Sequence, residues 1–204
     1  MKTIIKNPVG EKVERVLRDI VHEIILHPDD FEVIQIPLSS HLVVNLRAQT
    51  SDTGRIIGPK GAHFLALKII VAAVGASCTK RVLLGRMEPP LDGKGPDSYN
   101  KLVFKKDWNE AKVREILERT VASIFTYPSS VTVKDVDEVT SVLCVTISSR
   151  ERADLVAQVS DALQTLFNAV GKANGRIVLV DVVAETPEPA QPGSADGRWA
   201  KAAA

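Results

Sequence analysis

The stretch that decides the fold runs from Thr50 to Gly75 and reads TSDTGRIIGPKGAHFLALKIIVAAVG. Two glycines three residues apart, Gly58 and Gly61, separate a short mixed segment from a long apolar one. Glycine adopts positive φ and lets the backbone approach a ligand closely. The amides that open the following helix favour an anion, and Lys60 adds a cation. The stretch therefore predicts two helices joined by a phosphate-binding loop.

The elements on either side are predicted from the spacing of apolar residues. Proline restricts the residue before it, so His27-Pro28 ends the first helix. Ser51 or Asp52 is expected to cap the short helix before Gly58, and Gly75 to stop the long one. The predicted order is a helix, two strands of a hairpin, the short helix, the long helix and a third strand. The first helix is predicted at 10–26, the three strands at 31–37, 41–48 and 80–84, and the long helix at about 62–75.

The same pattern starts again about 100 residues later, which predicts two copies of one domain. Tyr127-Pro128 repeats His27-Pro28, and Ala169-Val170-Gly171 repeats Ala73-Val74-Gly75. The second copy is four to five residues shorter before its long helix and has Ser149 to Asp154 where the first has its two glycines. Its helix, two strands, helical stretch and closing strand are predicted near 113–125, 131–136, 141–147, 151–171 and 176–180.

Two segments lack a core pattern. Residues 87–107 contain Pro89-Pro90 and Gly95-Pro96 and are predicted to be a linker, with a short strand at 101–105. Residues 185–204 are rich in Pro, Gly and charge and are predicted to be a disordered tail around an isolated Trp199.

The net charge of +1 hides a local excess of positive charge. Residues 47–86 contain a single acid, Asp52, which favours a phosphate-bearing partner. By itself, such an excess is better explained by a solvated basic surface. The basic residues of this segment are Arg47, Arg55, Lys60, Lys68, Lys80, Arg81 and Arg86.

Catalysis, metal binding and a membrane span find little support in the sequence. The two cysteines, Cys78 and Cys144, make neither a disulfide framework nor a metal pattern. The start of the chain and its interior lack an apolar run of about 18 residues, so neither a leader nor a span is expected and the cytoplasm is the default compartment. The histidines have no ligand spacing and are His22, His27, His41 and His63.

The glycine spacing also excludes the common nucleotide-binding loops. A P-loop requires four residues between its first glycine and Gly-Lys-Ser/Thr, and Gly54, Gly58 and Gly61 do not form Gly-x-Gly-x-x-Gly. The remaining structural alternative is a plain corner between helices, with Gly58 ending one and Pro59 starting the next.

Arg55-Ile56-Ile57-Gly58-Pro59-Lys60-Gly61 between two helices resembles the signature of KH domains. The order of elements resembles the type II arrangement of that family, α-β-β-α-α-β. Within the family, the chain resembles the small bacterial single-KH proteins. The resemblance covers residues 10–86 with the motif and residues 108–184 by element order only. It implies an α+β fold with two KH-like domains in tandem, divided as 1–86 with the loop, a linker at 87–107, a degenerate copy at 108–184 and the tail at 185–204.

The resemblance implies a non-catalytic protein that binds single-stranded RNA, acting as an RNA chaperone or post-transcriptional regulator. KH loops clamp the backbone of four nucleotides. Ile56, Ile57 and an exposed edge of the second strand are expected to form an apolar surface under unstacked bases. His63 is a further candidate contact. The expected RNA-binding residues are Arg47, Arg55, Ile56, Ile57, Gly58, Pro59, Lys60, Gly61, Ala62 and Lys68.

Two other functions remain open at this stage. One is a protein-interaction scaffold with an inert KH fold, which pairs with another KH-type protein or with itself. The other is a binder of DNA or duplex RNA. Aromatic residues make up 4% of the chain, so base stacking on aromatic platforms is not expected to dominate. No cofactor and no metal are expected.

Overall fold

The computed structural model describes residues 7–90, 108–127, 130–135 and 139–185, which form an α+β fold of two units. The first unit contains α1 (Pro8–Ile24), β1 (Glu32–Pro37), β2 (His41–Arg47), α2 (Thr50–Ile57), α3 (Ala62–Ser77) and β3 (Arg81–Met87). The second contains α4 (Glu110–Ile124), β4 (Ser130–Asp135), β5 (Thr140–Ile147), α5 (Ala153–Ala173) and β6 (Ile177–Ala184).

These bounds confirm the predicted order of helices and strands in the first unit and the repeated pattern in the second. Most of the predicted linker, including its strand at 101–105, lies outside the described residues, as do Trp199 and nearly all of the predicted tail.

α1 follows directly from its sequence. The Asn7 side chain accepts a hydrogen bond from the Val9 amide at 3.1 Å, and Pro8 occupies the first helical position. The helix ends before Pro28, as the sequence predicts. Its core face is an apolar stripe buried against the sheet and α3, made of Val13, Val16, Leu17, Ile20, Val21 and Ile24.

Each unit has a three-stranded mixed sheet of the same topology. β1 pairs antiparallel with β2, which pairs parallel with β3, and β4, β5 and β6 repeat that arrangement. Since β2 is the central strand, its side chains alternate between the buried helical side, occupied by Leu42, Val44 and Leu46, and the outer face.

A glycine contact near the end of each long helix shows how closely the two units correspond. A Cβ on Gly75 would lie 2.6 Å from Val82 Cγ2 and 2.7 Å from the Lys80 carbonyl oxygen. A Cβ on Gly171 would lie 2.9 Å from Val178 Cγ2 and 2.8 Å from the carbonyl oxygen of the residue before Ile177. Each contact recurs 96 residues further along the chain. In both units only glycine lets the helix end close against the following strand.

The two units pack helix against helix. α3 contacts α5 and α1 contacts α4, so equivalent helices meet, while α1 also touches α5 and α3 touches α4. This reciprocal pattern is that of an isologous interface, here within one chain.

Polar contacts also join α1 to α4. Lys112 Nζ lies 2.6 Å from Glu23 Oε1, whose side chain is 10% exposed, and Arg119 Nε lies 3.4 Å from Asp19 Oδ2. Burial raises the pKa of Asp19, and the Arg119 guanidinium opposes that shift. The second unit is therefore attached to the first by charge pairs as well as by apolar packing.

The run Pro59–Ser77, which includes α3, is the one helical stretch in the described part of the chain that is long and apolar enough to suit a membrane span. Its composition has another explanation in the fold. α3 contacts α1, α2, β3, α4 and α5, so it packs on several sides at once. A helix in that position is apolar nearly all round.

We expect Gly75→Ala and Gly171→Ala each to lower the free energy of unfolding by about 1–2 kcal/mol, because overpacking against a strand outweighs the helix propensity gained. Urea denaturation followed by circular dichroism measures the change. Ala76→Ser, at an exposed neighbouring position, is the control and should shift it by less than about 0.5 kcal/mol. Wild-type stability for Gly171→Ala would contradict the packing of α5 on β6.

Candidate nucleic-acid interface

A buried carboxylate positions α2. Asp52 is 0% exposed, and its two oxygens accept hydrogen bonds from the backbone amides of Leu26 at 2.8 Å and His27 at 3.0 Å. His27 Nδ1 also lies 3.0 Å from the same carboxylate. The predicted capping role is therefore wrong. Gln49 occupies the cap position of α2 without a capping bond from its side chain, and Asp52 reaches back to the turn after α1.

The second unit keeps this contact without the helix that carries it. Glu151 Oε1 accepts hydrogen bonds from the amides of Thr126 at 2.6 Å and Tyr127 at 2.8 Å, each 100 residues after Leu26 and His27. In both units, an acidic side chain that follows the second strand therefore binds the turn after the first helix.

The loop after α2 has a backbone that requires glycine. Gly58 has φ 72° and ψ 176°, a combination that is essentially restricted to glycine. Lys60 and Gly61 follow with φ 52° and 78°. Gly58 also ends α2 and Pro59 begins a single 3-10 turn, so the predicted corner and the predicted loop are the same structure.

His63 supports this loop from below. Its Nδ1 lies 2.8 Å from the Arg55 carbonyl oxygen, and since a carbonyl only accepts, Nδ1 is the donor. A Cβ on Gly58 would lie 2.3 Å from His63 Cγ, so the ring fills the space beneath that glycine. The Nδ1 atom of His63, a candidate ligand contact in the sequence, is engaged in holding the loop.

The loop presents positive charge to solvent. Pro59 and Lys60 are exposed, and Gly61 precedes a helix of 16 residues whose start has no side-chain cap. The first amides of a helix carry a partial positive charge and can donate to an anion. In α3 the Ala62 amide already donates to the Pro59 carbonyl oxygen, so the amides after it are the donors for an anion. Together with the Lys60 ammonium, they make a site suited to a phosphate.

A groove of about 660 Å³ runs between α3 and β3. β3 ends the described sheet of its unit, so its outer edge carries backbone donors and acceptors without a strand partner there. The exposed edge expected for the second strand is wrong, because β2 is the central strand. The groove is lined by Val43, Lys68, Ile69, Ala72, Ala73, Ala76, Val82, Leu83, Leu84 and Gly85, and from the second unit by Leu155 and Gln158.

Comparison with known proteins adds the family. The chain is 32% identical to the RNA-binding protein KhpA of Bacillus subtilis over 72 residues, which are 35% of this chain and 89% of that protein. It is 33% identical to KhpA of Aquifex aeolicus over 76 residues, 35% of this chain and 96% of that one. The chain belongs to the KhpA family, whose proteins are of the KH type. KhpA of Listeria monocytogenes is 29% identical over 76 residues, 37% of this chain and its own full length.

These KhpA relatives have the length of one unit. Since 76 residues are the full length of the Listeria protein, a chain of 204 residues contains more than a KhpA-sized part. No family model matches the chain, and no solved structure matches it significantly.

The structure separates the residues that the KH motif predicts. Ile56 is 0% exposed, so its expected contact with a ligand is wrong and it belongs to the core; Ile57 is half-buried. Arg47 lies on the outer face of the sheet, where it pairs with Glu32 at 3.1 Å. Arg55 Nη1 donates to the Ile24 carbonyl oxygen at 3.3 Å, at the end of α1.

The other predicted residues lie in the loop or on α3, the helix that follows it. Gly58, Pro59, Lys60, Gly61 and Ala62 form the loop and the start of α3, and Lys68 lines the groove with its ammonium 5.2 Å from the centre of the Phe64 ring.

Sequence reasoning missed the groove itself. Its signal was the pair of exposed alanines, Ala72 and Ala76, in the second half of α3.

Part of the local positive charge is neutralised. Arg86 Nε lies 3.2 Å from Glu88 Oε1, and the Asn45 amide donates to the same oxygen at 2.6 Å. The hydrogen bonds from Arg86 and then Asn45 lower the pKa of Glu88. With Arg47 and Arg86 both paired, Lys60 and Lys68 are the cations that the loop and groove present. In the described ranges, no three His, Cys, Asp or Glu side chains converge on a potential metal site.

We expect Asp52→Asn to lower the free energy of unfolding by about 1–3 kcal/mol, because an amide nitrogen would face a backbone donor at a buried site. Urea titration measures the loss. Asp29→Asn, at an exposed position in the adjacent turn, serves as the control and should change little. Equal stability of the two variants would rule out Asp52 as the anchor of α2.

Proposed function

We propose that this KhpA-family protein binds single-stranded RNA without catalysing a reaction on it. The loop from Gly58 to Gly61 holds the sugar-phosphate chain, and the groove between α3 and β3 receives the bases. The observation that carries the proposal is the placement of both features on one helix: the cationic loop lies at the start of α3, which has no side-chain cap, and the groove lies along the same helix from Lys68 onward. The KhpA relatives named as RNA-binding proteins support RNA as the ligand.

The dimensions of the site suit a short stretch of RNA. KH loops clamp the backbone of four nucleotides. At 1.5 Å of rise per residue, α3 extends about 22 Å from Gly61 to Ala76, so several nucleotides fit between the loop and the far end of the groove. Lys68 lies between the two, where it can offset a further phosphate.

The groove favours unpaired bases over a duplex. Its lining is mostly aliphatic, with the accessible side chains of Ile69 on α3 and Leu83 on β3, which suits the faces of unstacked bases. The edge of β3 supplies backbone amides and carbonyls at the level of base edges. Sequence-specific recognition of RNA uses single strands because their bases can leave the stack.

The proposal includes two type II KH-like domains in tandem, the second degenerate. Its support is the shared sheet topology, the equivalent acids Asp52 and Glu151, and the equivalent glycines Gly75 and Gly171. The second copy has only residues 148–152 between β5 and α5, so it lacks α2 and the glycine loop.

In the cell, the proposed role is that of an RNA chaperone or post-transcriptional regulator in the cytoplasm. Bacterial relatives that are named for RNA binding support this role. Both cysteines, Cys78 and Cys144, are free thiols, which suits a reducing compartment.

A scaffold role is the competing function, and one observation favours it. The outer face of β6 exposes Ile177, Leu179 and Val183 at 50%, 41% and 49%. Apolar residues grouped on a sheet face commonly mark a protein-contact surface. In this alternative, the partner is another KH-type RNA-binding protein or a second copy of the chain, and the loop is inert.

For the loop, we expect Pro59→Asp/Lys60→Asp to weaken binding of a pool of labelled short RNAs by at least about tenfold, because two negative charges face the phosphate path. Fluorescence anisotropy measures the affinity. Aspartate tolerates the left-handed backbone at residue 60, so folding should persist, as thermal melting will check. Lys172→Asp, in the last turn of α5, is the control and should bind like wild type.

Salt dependence distinguishes the outcomes further. Lys60→Ala should reduce the slope of log K against log salt by about 1, and Lys172→Ala should leave it unchanged. RNA binding that is equal in the loop variant and wild type would move the site elsewhere. Absence of binding by wild type would leave the scaffold function.

For the groove, we expect Ala72→Leu to weaken RNA binding by about fivefold or more without loss of stability, because the added side chain occupies the space proposed for a base. Ala111→Leu, also an exposed helical alanine but outside the groove, is the matched control. The same anisotropy assay compares the two. Wild-type affinity in Ala72→Leu would contradict the proposal that the α3–β3 groove binds the bases.

A further inference from the structure

The groove of the first unit is not built by the first unit alone. Two of its lining residues, Leu155 and Gln158, belong to the first turns of α5 in the second unit. Leu155 is half-buried and packs against the core, whereas Gln158 is exposed. The packing of α5 on α3 brings them to this position.

Leu155 comes from the segment that takes the place of the glycine loop, and Gln158 follows it directly in the helix. Gly171 takes the place of Gly75, so by the same offset of 96 residues Gln158 takes the place of Ala62, the first residue of α3. α5 begins at Ala153 and is therefore about five residues longer at its start than α3. Where the first unit has its glycine loop, the second has added helix, and Leu155 lies in that addition.

We propose that the start of α5 is the third wall of the RNA groove and that Leu155 and Gln158 set its affinity and base preference. This inference rests on the proposed function of the groove. The second unit would thereby take part in recognition through the added helical segment at the start of α5, which stands where the first unit has its glycine loop.

The chemistry of the two side chains suits different parts of a base. Leu155 extends the aliphatic lining formed by Ile69 and Ala72, which favours contact with a base face regardless of its identity. Gln158 carries both a donor and an acceptor on one neutral amide, so it can distinguish base edges. Neither residue adds charge, so the wall should leave the electrostatic part of binding unchanged.

The test measures the affinities of wild type, Leu155→Ala and Gln158→Leu for labelled oligo(A), oligo(C) and oligo(U) of equal length by fluorescence anisotropy. Leu155→Ala should weaken binding to all three by about threefold to fivefold. Gln158→Leu keeps the size of the side chain but removes its hydrogen bonds, and it should change the ratio among the three affinities by at least about threefold. The slope of log K against log salt should remain that of wild type in both variants.

Ala157→Ser, an exposed position in the same turn that does not line the groove, is the control and should match wild type. Thermal melting verifies that each variant folds. Wild-type affinities and ratios in both variants, with binding still lost in Pro59→Asp/Lys60→Asp, would overturn the role of α5 and leave the proposed function intact. RNA binding that is absent in wild type, or insensitive to the loop and to Ala72→Leu, would overturn both.

Discussion

The hydrogen bonds of the Asp52 carboxylate hold α2 against the end of α1, and the position of the loop depends on them. A fully buried charge is tolerated only when its oxygens are satisfied, and here two backbone amides and the His27 ring do so. Because these amides belong to the turn after α1, their hydrogen bonds fix the start of α2 relative to that helix. α2 is followed directly by Gly58, whose positive φ other residues avoid, and the His63 ring packs against this glycine. The exposed loop thus depends on a buried contact outside the loop itself.

The second unit separates this structural device from its functional use. Glu151 repeats the contact of Asp52, and Gly171 repeats that of Gly75, so the requirements of the fold persist. α2, the glycine pair and Lys60 have no counterparts between β5 and α5. The residues that hold the fold together in both units are therefore different from the loop residues proposed to bind RNA. The helical extension of α5 occupies the freed space and reaches the groove of its neighbour.

Charge follows the same division. The segment that contains the loop is strongly basic in a chain of net charge +1, yet two of its arginines are paired with glutamates. Lys60 and Lys68 are left on the path from loop to groove. In the proposed binding mode, phosphate contacts from these lysines position the RNA chain and uncharged groove residues select the bases. A broad basic surface would bind any polyanion and discriminate poorly.

The sequence by itself determined the order of the elements, the repeat and the loop, because these depend on local periodicity and on the backbone demands of glycine and proline. It could not determine which strand lies at the sheet edge, since β1, β2 and β3 have similar composition and strand order is a matter of pairing between distant residues. For the same reason it assigned Asp52 to its own helix and Ile56 to the ligand. Only the tertiary structure decided that Asp52 reaches the turn after α1, that the groove lies along β3, and that α5 supplies part of it. Each of these is a contact between residues far apart in the chain, and such contacts leave no periodic trace in the sequence.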